Sequence, residues 1–373
     1  MSEDVLEPVN EILMSGFIGQ GPKVAEFEQV LAGYFDNPNL VTLNSATSAL
    51  QLSSHLLRKP SDDGRWPGLQ AGDEVLTTAL TCTATNWPLL ANGLGLKWVD
   101  VDVETCNVDL DDLERKLTPS TKLISIVHWG GYPNDLDRIA AIQDRAEEKF
   151  GFRPLVIEDC AHAFGSAYKG QLLGNHGNFA CYSLQAIKHF TTGDGGFMIV
   201  PDNELYRRAK LLRWYGIDRE NPGKDDFRCE DDISEWGFKF HMNDINATIG
   251  LHNFPHVSGC LEKFKDNSAY YDEALKGVAG VTLMRRDEWA DSASWLYTLK
   301  VERRDDFMRY MESQSIMVSR VHERNDKHSC VAEFAADLPN LDKLSQEMIC
   351  IPNGWWVTAE EREYIVDCIK QGW

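Results

Sequence analysis

The sequence predicts an α/β fold in which helices flank a mostly parallel mixed sheet, followed by a smaller α+β domain. Short β-rich runs alternate with longer helical patterns from about residue 40 to residue 200, and from Asn243 onwards the pattern is mainly helical. The chain has 373 residues, 43% of them hydrophobic, which is enough to bury a large core. We therefore expect a large domain over residues 1–250 and a small domain over residues 251–373.

Six apolar runs in the first part have the length and the β-branched or aromatic content of strands. Because helical patterns separate them, most of these strands are expected to run parallel. The predicted strands cover residues 74–76, 97–101, 123–127, 155–157, 179–182 and 196–200.

The helical patterns between these runs often begin at Asp, Ser or Asn, whose side chains can cap the free N–H groups of a first turn. After Asn243 a long helical stretch is predicted up to about residue 275, with shorter strands and helices beyond it. The predicted helices of the first part cover residues 48–57, 110–116, 136–148 and 203–214.

Charge and cysteine content argue against several classes of protein. Lys and Arg number 37 against 58 Asp and Glu, so the formal net charge of −21 would repel nucleic acid or an anionic bilayer. The acidic N-terminal segment lacks the features of a signal peptide, and no apolar run reaches about 18 residues, so we expect a cytoplasmic protein. The nine cysteines form no Cys-x-x-Cys pair. We therefore expect reduced core thiols and no metal site.

Four polar clusters follow predicted strands or open predicted helices, where open α/β sheets bind ligands. The first contains Lys188, which lies between the strand at 179–182 and the glycine-rich turn at 193–196. A lysine beside apolar and aromatic residues can lose its proton and attack a carbonyl carbon. The alternative is a solvated lysine next to an ordinary turn.

The second cluster is Glu158, Asp159 and His162, at the end of the strand at 155–157. A carboxylate at such a strand end can hold a protonated ring nitrogen, as it does in enzymes that use pyridoxal phosphate. A helix N-cap is the alternative interpretation.

The third cluster is a run of small residues at 44–48, immediately before an apolar helical pattern. Free N–H groups and hydroxyls at a helix start can bind phosphate, although an ordinary capped helix fits equally well. The fourth cluster, residues 236–247, joins a basic aromatic loop to a helix and could supply a cation to a phosphate. A simple loop-to-helix boundary is the alternative.

Taken together, the four clusters resemble the DegT/StrS sugar aminotransferases, and the resemblance runs nearly end to end. Residues 45–50 are similar to the family's Ser-Gly-Thr-x-Ala-Leu segment, which binds the phosphate of pyridoxal 5′-phosphate (PLP). Residues 158–162 match the Glu-Asp-x-Ala-Gln/His signature, and residues 182–196 match Phe-Ser-Phe-x-x-x-Lys followed by Gly-Glu-Gly-Gly. The resemblance implies PLP as cofactor and the three-layer fold type I.

The resemblance also implies a role for each matched residue. Lys188 would form the Schiff base with PLP, Asp159 would pair with the pyridine nitrogen, and His162 would lie near the phenolic oxygen; these are the expected catalytic residues. The remaining expected cofactor contacts are Ser45, Ala46, Thr47, Cys82, Ser183 and Lys239.

A homodimer with shared active sites is implied as well, because residues 237–244 resemble the segment through which a neighbouring subunit reaches the cofactor phosphate. Lys239 stands where many members have Asn. Residues 15–22 resemble the substrate-side loop, and the region 320–324 is expected to meet the sugar or its diphosphate. The expected substrate contacts are Phe17, Gln20, His189, Arg320, His322 and Arg324.

Three positions affect the interpretation. Ala46 replaces the family's glycine, and Cys82 stands where Phe or Trp often stacks on the pyridine face. A thiol stacks poorly, so either another side chain covers the ring, for which Trp129 is one candidate, or phosphate contacts hold the cofactor more strongly. Relatives with His in place of the lysine dehydrate sugars. Here His189 adjoins Lys188, so transamination is favoured provided that Lys188 is in register.

We therefore expect an aminotransferase that moves an amino group, by family habit from L-glutamate, to a keto sugar. The acceptor would be a nucleotide-linked 3- or 4-keto-deoxy sugar, used in amino-sugar or polysaccharide biosynthesis. One alternative is a PLP-dependent sugar dehydratase, and another is a non-catalytic sensor or scaffold that binds no chromophore. A nicotinamide oxidoreductase is disfavoured because no Gly-x-Gly-x-x-Gly turn follows the first strand.

Overall fold

A computed structural model describes residues 1–61, 64–219 and 232–373 of the chain. Most of its strands coincide with short apolar runs of the sequence. The strands are β1 (Leu40–Leu43), β2 (Glu74–Thr78), β3 (Gly95–Val99), β4 (Thr121–Val127), β5 (Leu155–Asp159), β6 (Ala167–Tyr168), β7 (Gln171–Leu172), β8 (Phe179–Ser183), β9 (Gly196–Ile199), β10 (Val281–Leu283), β11 (Ala290–Asp291), β12 (Tyr297–Val301) and β13 (Met348–Ile351).

The helices differ in how much of their surface they bury. Helix α3 is buried over most of its length, whereas α1 has no buried residue. The helices are α1 (Leu6–Ser15), α2 (Pro22–Phe35), α3 (Ala46–Leu56), α4 (Thr83–Ala91), α5 (Leu110–Lys116), α6 (Leu136–Phe150), α7 (Asn203–Leu212), α8 (Asp244–Asn253), α9 (Val257–Ala274), α10 (Arg304–Ser313), α11 (Pro339–Glu347) and α12 (Ala359–Gln371).

The main sheet has seven strands in the order β1-β9-β8-β5-β4-β2-β3. The pairs from β8 to β3 are parallel, whereas β9 runs antiparallel to both β1 and β8. The predicted mostly parallel mixed sheet is therefore confirmed. The last strand of this sheet ends at Ile199, close to the predicted limit of residue 200.

Helices cover both faces of this sheet. One apolar cluster joins α3, α4 and α7 to one face, and a second joins α2, α5 and α6 to the other. Val75 and Leu76, adjacent in β2, belong to different clusters because successive strand residues point to opposite faces. Three layers result, as the resemblance implies.

Differences from the predicted elements are small. All six predicted strands and all four predicted helices of the first part are present, with ends displaced by up to two residues. The long helical stretch predicted from Asn243 to about residue 275 is present as two α-helices, α8 and α9, joined by a short 3-10 turn at Phe254–His256. Pro255 lies in that turn and lacks the N–H that a continuous helix needs.

The C-terminal part contains a second sheet in the order β10-β12-β13. Its apolar cluster joins this sheet to α9, α10 and α12, as expected for an α+β unit. The boundary at residue 250 stays a prediction. Among the helices that the structure describes, none combines the length and the apolar composition needed to cross a membrane.

Eight of the nine cysteines lie in the described residues, and their thiols are free. Five of them are buried: Cys106, Cys160, Cys181, Cys350 and Cys368. Cys229 lies outside the described residues.

Candidate functional site

The carboxyl ends of β5 and β8 lie side by side in the centre of the main sheet. Asp159 ends β5 and pairs in register with Cys181 of β8, two residues before Ser183. The chain then leaves β8 towards Lys188. Asp159 attracts the Lys188 ammonium and so favours its charged form, because the two side chains lie near each other.

Asp159 is an almost fully buried carboxylate, with 4% of its surface exposed. Its Oδ2 accepts a hydrogen bond from Thr85 Oγ1 at 2.7 Å, and its Oδ1 accepts one from the Ala161 N–H at 2.9 Å. Burial is the largest influence and raises its pKa, although both hydrogen bonds oppose that shift. A cationic partner would relieve the cost of burying this charge.

Lys188 is the nucleophile predicted from the sequence. Its Nζ lies 3.5 Å from the ring centroid of Trp295. Burial lowers the pKa of the Lys188 amine to about 8, and the attraction of Asp159 partly opposes this shift. A neutral amine, the form that attacks a carbonyl, is therefore populated more readily than in an exposed lysine.

His189 points into packed structure, although it adjoins Lys188 in the chain. Its ring is buried, its Nε2 lies 2.9 Å from the Ala293 carbonyl oxygen, and it packs edge-on against Phe264. Burial lowers its pKa to about 3. Of these two neighbours, Lys188 is the one whose side chain contacts Trp295, and a contact between His189 and a substrate stays a prediction.

Imidazole and indole rings form a wall around the pocket. The ring of His162 lies 4.1 Å from that of Trp295, 6.0 Å from that of Trp129 and 5.8 Å from that of His322. His162 Nδ1 accepts the Gly130 N–H at 3.3 Å, so a neutral His162 carries its proton on Nε2. Burial moves the pKa of His162 well below its usual range, which keeps the ring neutral at pH 7.

His322 belongs to the same group of rings, and its contact with a substrate stays a prediction. Its half-buried ring is nearly parallel to that of His162. Its Nε2 finds no hydrogen-bond partner among the residues that the structure describes. Burial lowers its pKa to about 4, so it too is neutral at pH 7.

The predicted phosphate cradle is the N-terminus of α3. Ser45 caps this helix by accepting the Ser48 N–H at 3.0 Å, while Ala46 is buried and Thr47 is exposed. Gly196 lies so close that a Cβ there would be 2.4 Å from the Ala46 nitrogen.

Ser183 of β8 lies opposite Gly196 in the strand pairing. The structure thus brings the helix start and the end of β8 together at the same edge as Asp159.

Lys239 lies beside this cradle within its own chain. Its carbonyl oxygen accepts a hydrogen bond from Asn44 Nδ2 at 3.4 Å, and Asn44 N–H donates to the neighbouring Phe240 carbonyl at 2.7 Å. The Lys239 side chain is exposed. Its contact with a phosphate in a neighbouring subunit stays a prediction.

Three further expected contacts lie at half-buried or exposed positions: Cys82, Phe17 and Gln20. Cys82 is the half-buried N-cap of α4, and its thiol acts electrostatically on Lys188. Phe17 is 85% exposed, and Gln20 is half-buried. Trp129, the side chain named as a possible cover for the cofactor ring, donates its indole N–H to Thr298 Oγ1 at 3.0 Å, and its contact with the ring stays a prediction.

The two predicted arginine contacts are engaged by carboxylates. Arg324 is buried and binds both oxygens of Asp326 as well as Asp342. Arg320 pairs with Glu323 at 2.9 Å. These ion pairs give Arg324 a structural role, and contact of either arginine with a sugar stays a prediction.

Sequence reasoning missed Thr85 and Trp295 as members of the site. Thr85 fixes the Asp159 carboxylate, and Trp295 contacts both Lys188 and His162. Neither residue lies in one of the sequence segments that resemble the family's motifs. The sequence did offer one signal for Thr85: it is a hydroxyl residue in the first turn of a helix that follows a strand.

A buried network lies beneath the pocket. His128 Nε2 contacts Glu158 Oε2 at 2.9 Å, and Asn178 Nδ2 donates to Glu158 Oε1 at 2.8 Å. Three possible metal ligand atoms, one each from His128, Glu158 and Cys160, lie within 4.8 Å of one another. Because His128 Nδ1 also accepts the Asn134 N–H, the polar atoms of His128 and Glu158 are already paired within the protein.

The residues of the pocket fit PLP. An amine with a lowered pKa suits the aldehyde, a buried carboxylate suits a protonated pyridine nitrogen, and a helix N-terminus suits the phosphate. The three groups converge at one edge of the main sheet.

Comparison with known proteins agrees with this arrangement. The DegT/DnrJ/EryC1/StrS aminotransferase family profile matches residues 1–370. A UDP-4-amino-4-deoxy-L-arabinose–oxoglutarate aminotransferase from Shewanella sediminis is 31% identical over 300 residues, which is 79% of this chain and 72% of that protein. The spore coat polysaccharide biosynthesis protein SpsC of Bacillus subtilis is 29% identical, over 82% of this chain and 75% of SpsC.

Solved structures are similar over the whole chain. AtS13 from Actinomadura melliaura has 49% sequence identity and a TM-score of 0.94, with 100% of this chain and 96% of AtS13 covered. The sugar aminotransferase CalS13 from Micromonospora echinospora has 45% identity and a TM-score of 0.94, with 100% and 98% covered. The Streptococcus pneumoniae protein Spr1654, described as a putative sugar aminotransferase and solved in its PMP form, has 28% identity and a TM-score of 0.88, with 100% and 96% covered.

Proposed function

Since the chain belongs to the DegT/DnrJ/EryC1/StrS family of PLP-dependent sugar aminotransferases, we propose that it transfers the amino group of L-glutamate to a nucleotide-linked keto sugar. The observation that carries the proposal is the proximity of Lys188 and Asp159, with Trp295 contacting both Lys188 and His162, at the sheet edge that also holds the N-terminus of α3. PLP, when bound, supplies an electron sink for the negative charge left when a C–H bond next to nitrogen is broken.

Three parts of the chain would hold and orient the cofactor. Asp159 would keep the ring nitrogen protonated, since a buried carboxylate favours a cation beside it. The N–H groups at the start of α3, with the hydroxyls of Thr47 and Ser183, would bind the phosphate. His162 would donate its Nε2–H to the phenolic oxygen, because its Nδ1 is occupied by the Gly130 N–H.

Lys188 would transfer the proton between the amino donor and the cofactor. Its amine would hold the aldehyde carbon covalently until the amino donor displaces it, and would then act as a base. The freed amine would take the proton from the α-carbon of the donor and return it to the C4′ carbon of the cofactor. A pKa of about 8 suits both directions of this transfer near neutral pH.

The acceptor and donor classes are supported by the relatives. The Shewanella sediminis protein carries a UDP-linked amino sugar and oxoglutarate in its name. By similarity, we assign this chain a nucleotide-linked 3- or 4-keto-deoxy sugar and glutamate. Exposed apolar side chains at Leu6, Leu13, Met14 and Phe17 support a homodimer, since such a group of side chains is typical of an interface.

The proposal is tested by following the visible spectrum of the PLP-loaded protein. We expect a yellow enzyme that loses its colour with glutamate and regains it with the correct nucleotide keto sugar, with an amino sugar detected by mass spectrometry. Lys188→Ala should abolish both the yellow species and turnover while leaving the melting temperature nearly unchanged. A deoxy keto sugar as product would instead support the dehydratase alternative, and an absence of PLP binding would support a non-catalytic role.

A further inference from the structure

The indole of Trp295 is held against the lysine that the proposed reaction uses. Lys188 Nζ lies 3.5 Å from the centroid of the indole ring, and Trp295 is 7% exposed. The indole Nε1–H donates to the carbonyl oxygen of Ile187, the residue before Lys188, at 2.9 Å. The indole is therefore fixed to the same turn that carries the amine.

A second contact fixes the ring from another side. The imidazole of His162 lies 4.1 Å from the indole, inclined by 31°. A ring held by both a hydrogen bond and an aromatic contact presents a rigid surface to the amine. Preorganised groups of this kind stabilise charge without having to reorganise when it develops.

Without the indole of Trp295, few of the groups near Lys188 would stabilise its ammonium form. Burial disfavours the ammonium, and Asp159 supplies a nearby negative charge. The aromatic face attracts a cation, and the attraction grows when water is excluded. The other titratable groups that act on Lys188 or feel its charge are Cys82, His162, His189 and His322. The three histidines are neutral at pH 7 because burial lowers their pKa values.

We propose that Trp295 is a positioning residue for Lys188, whose indole face receives the ε-ammonium when the amine is not bound to the cofactor. This inference rests on the proposed function, in which Lys188 takes a proton from the donor α-carbon and gives it to C4′. Between the two transfers the group is an ammonium, and the proton count is unchanged overall. The indole holds the ammonium within reach of both carbons during this interval.

The test measures the pKa of Lys188 in the pyridoxamine form, where the amine is free. Competitive labelling with a trace of isotopically marked acetic anhydride from pH 6 to pH 10, read by mass spectrometry of the Lys188 peptide, gives this value without relying on turnover. In Trp295→Leu we expect the midpoint to fall by about one unit, because the π face is lost while the site stays apolar. Trp295→Phe, which keeps an aromatic face, should recover at least half of that shift.

Trp373→Leu is the matched control. It also removes an indole whose Nε1–H donates to a backbone carbonyl, that of Glu302 at 2.8 Å, but it does so in the C-terminal cluster. Its Lys188 midpoint should equal that of the wild type. An unchanged or raised midpoint in a folded, PLP-binding Trp295→Leu protein would overturn the proposal. Failure of the proposed function would look different, because the wild-type protein itself would then bind no PLP or form no amino sugar.

Discussion

Asp159 shows how one side chain can bear a charge that its surroundings disfavour. Burial raises its pKa, yet Thr85 and Ala161 each donate a hydrogen bond to the carboxylate. These two bonds orient the group, and the nearby Lys188 is the described residue that acts on it most strongly as a cation. A protonated pyridine nitrogen would be a second cationic partner, and the carboxylate would gain from it because the site is buried.

Asp159→Asn should therefore impair the reaction more than the fold. The amide can still accept from Thr85 or Ala161, but it cannot stabilise a charged ring nitrogen. Removing one partner of a buried charge pair costs about 3–5 kcal/mol, which corresponds to a reaction slowed roughly 10²- to 10⁴-fold.

Single-turnover conversion of glutamate to its keto acid measures this effect, with thermal melting as the check on folding. A folded variant that reacts as fast as the wild type would contradict the role of Asp159.

The close contact between β9 and the start of α3 shapes the proposed phosphate cradle. Gly196 lies where an added Cβ would be 2.4 Å from the Ala46 nitrogen, 2.5 Å from the Ser45 carbonyl carbon and 2.7 Å from the Tyr182 carbonyl oxygen. All three atoms are backbone, so no flexible side chain can move aside. The strand and the helix can approach this closely only because residue 196 has no side chain.

Gly196→Ala should push β9 away from α3 and weaken cofactor binding. Overpacking of this kind costs about 1–3 kcal/mol, so we expect a lower melting temperature and a higher dissociation constant for PLP. Both can be measured by titrating the apo-protein with PLP and by calorimetry. Gly259→Ala, in α9, is the control, since beyond the backbone of its own helix no atom lies within 4 Å of the added Cβ, and it should bind PLP as tightly as the wild type. Equal PLP affinity in the two variants would show that this packing does not shape the cradle.

The sequence located elements and motifs better than the contacts between them. Alternating apolar runs and capping residues predicted most strands of the main sheet and the helices between them. Motif spacing located Lys188 and Asp159 because both follow strands whose ends must meet at one edge. The place of Trp295 depends on tertiary folding, since 108 positions separate it from Ile187. The pairing of Arg324 with Asp342 likewise arises only after α11 has docked.

At the scale of the whole molecule, a protein of net charge −21 has to bind an anionic cofactor. Local positive groups can outweigh net charge, because a helix N-terminus and a nearby lysine act at short range. Lys239 is an exposed lysine beside the cradle of its own chain, whereas the homodimer proposal assigns it to the cradle of the partner. The two arrangements differ in which subunit completes each active site.

Mixing two inactive variants distinguishes these arrangements. Lys188→Ala and Lys239→Ala proteins, each inactive or strongly impaired alone, are dissociated, mixed in equal amounts and reassembled. If Lys239 serves the partner, half of the dimers are mixed and one site in each of them is intact, so about a quarter of the wild-type activity should return. If Lys239 serves its own chain, every site in the mixture lacks one of the two lysines, and activity stays at the level of the separate variants. Each variant reassembled with itself is the control for recovery of the dimer, and size-exclusion chromatography confirms that subunits have exchanged.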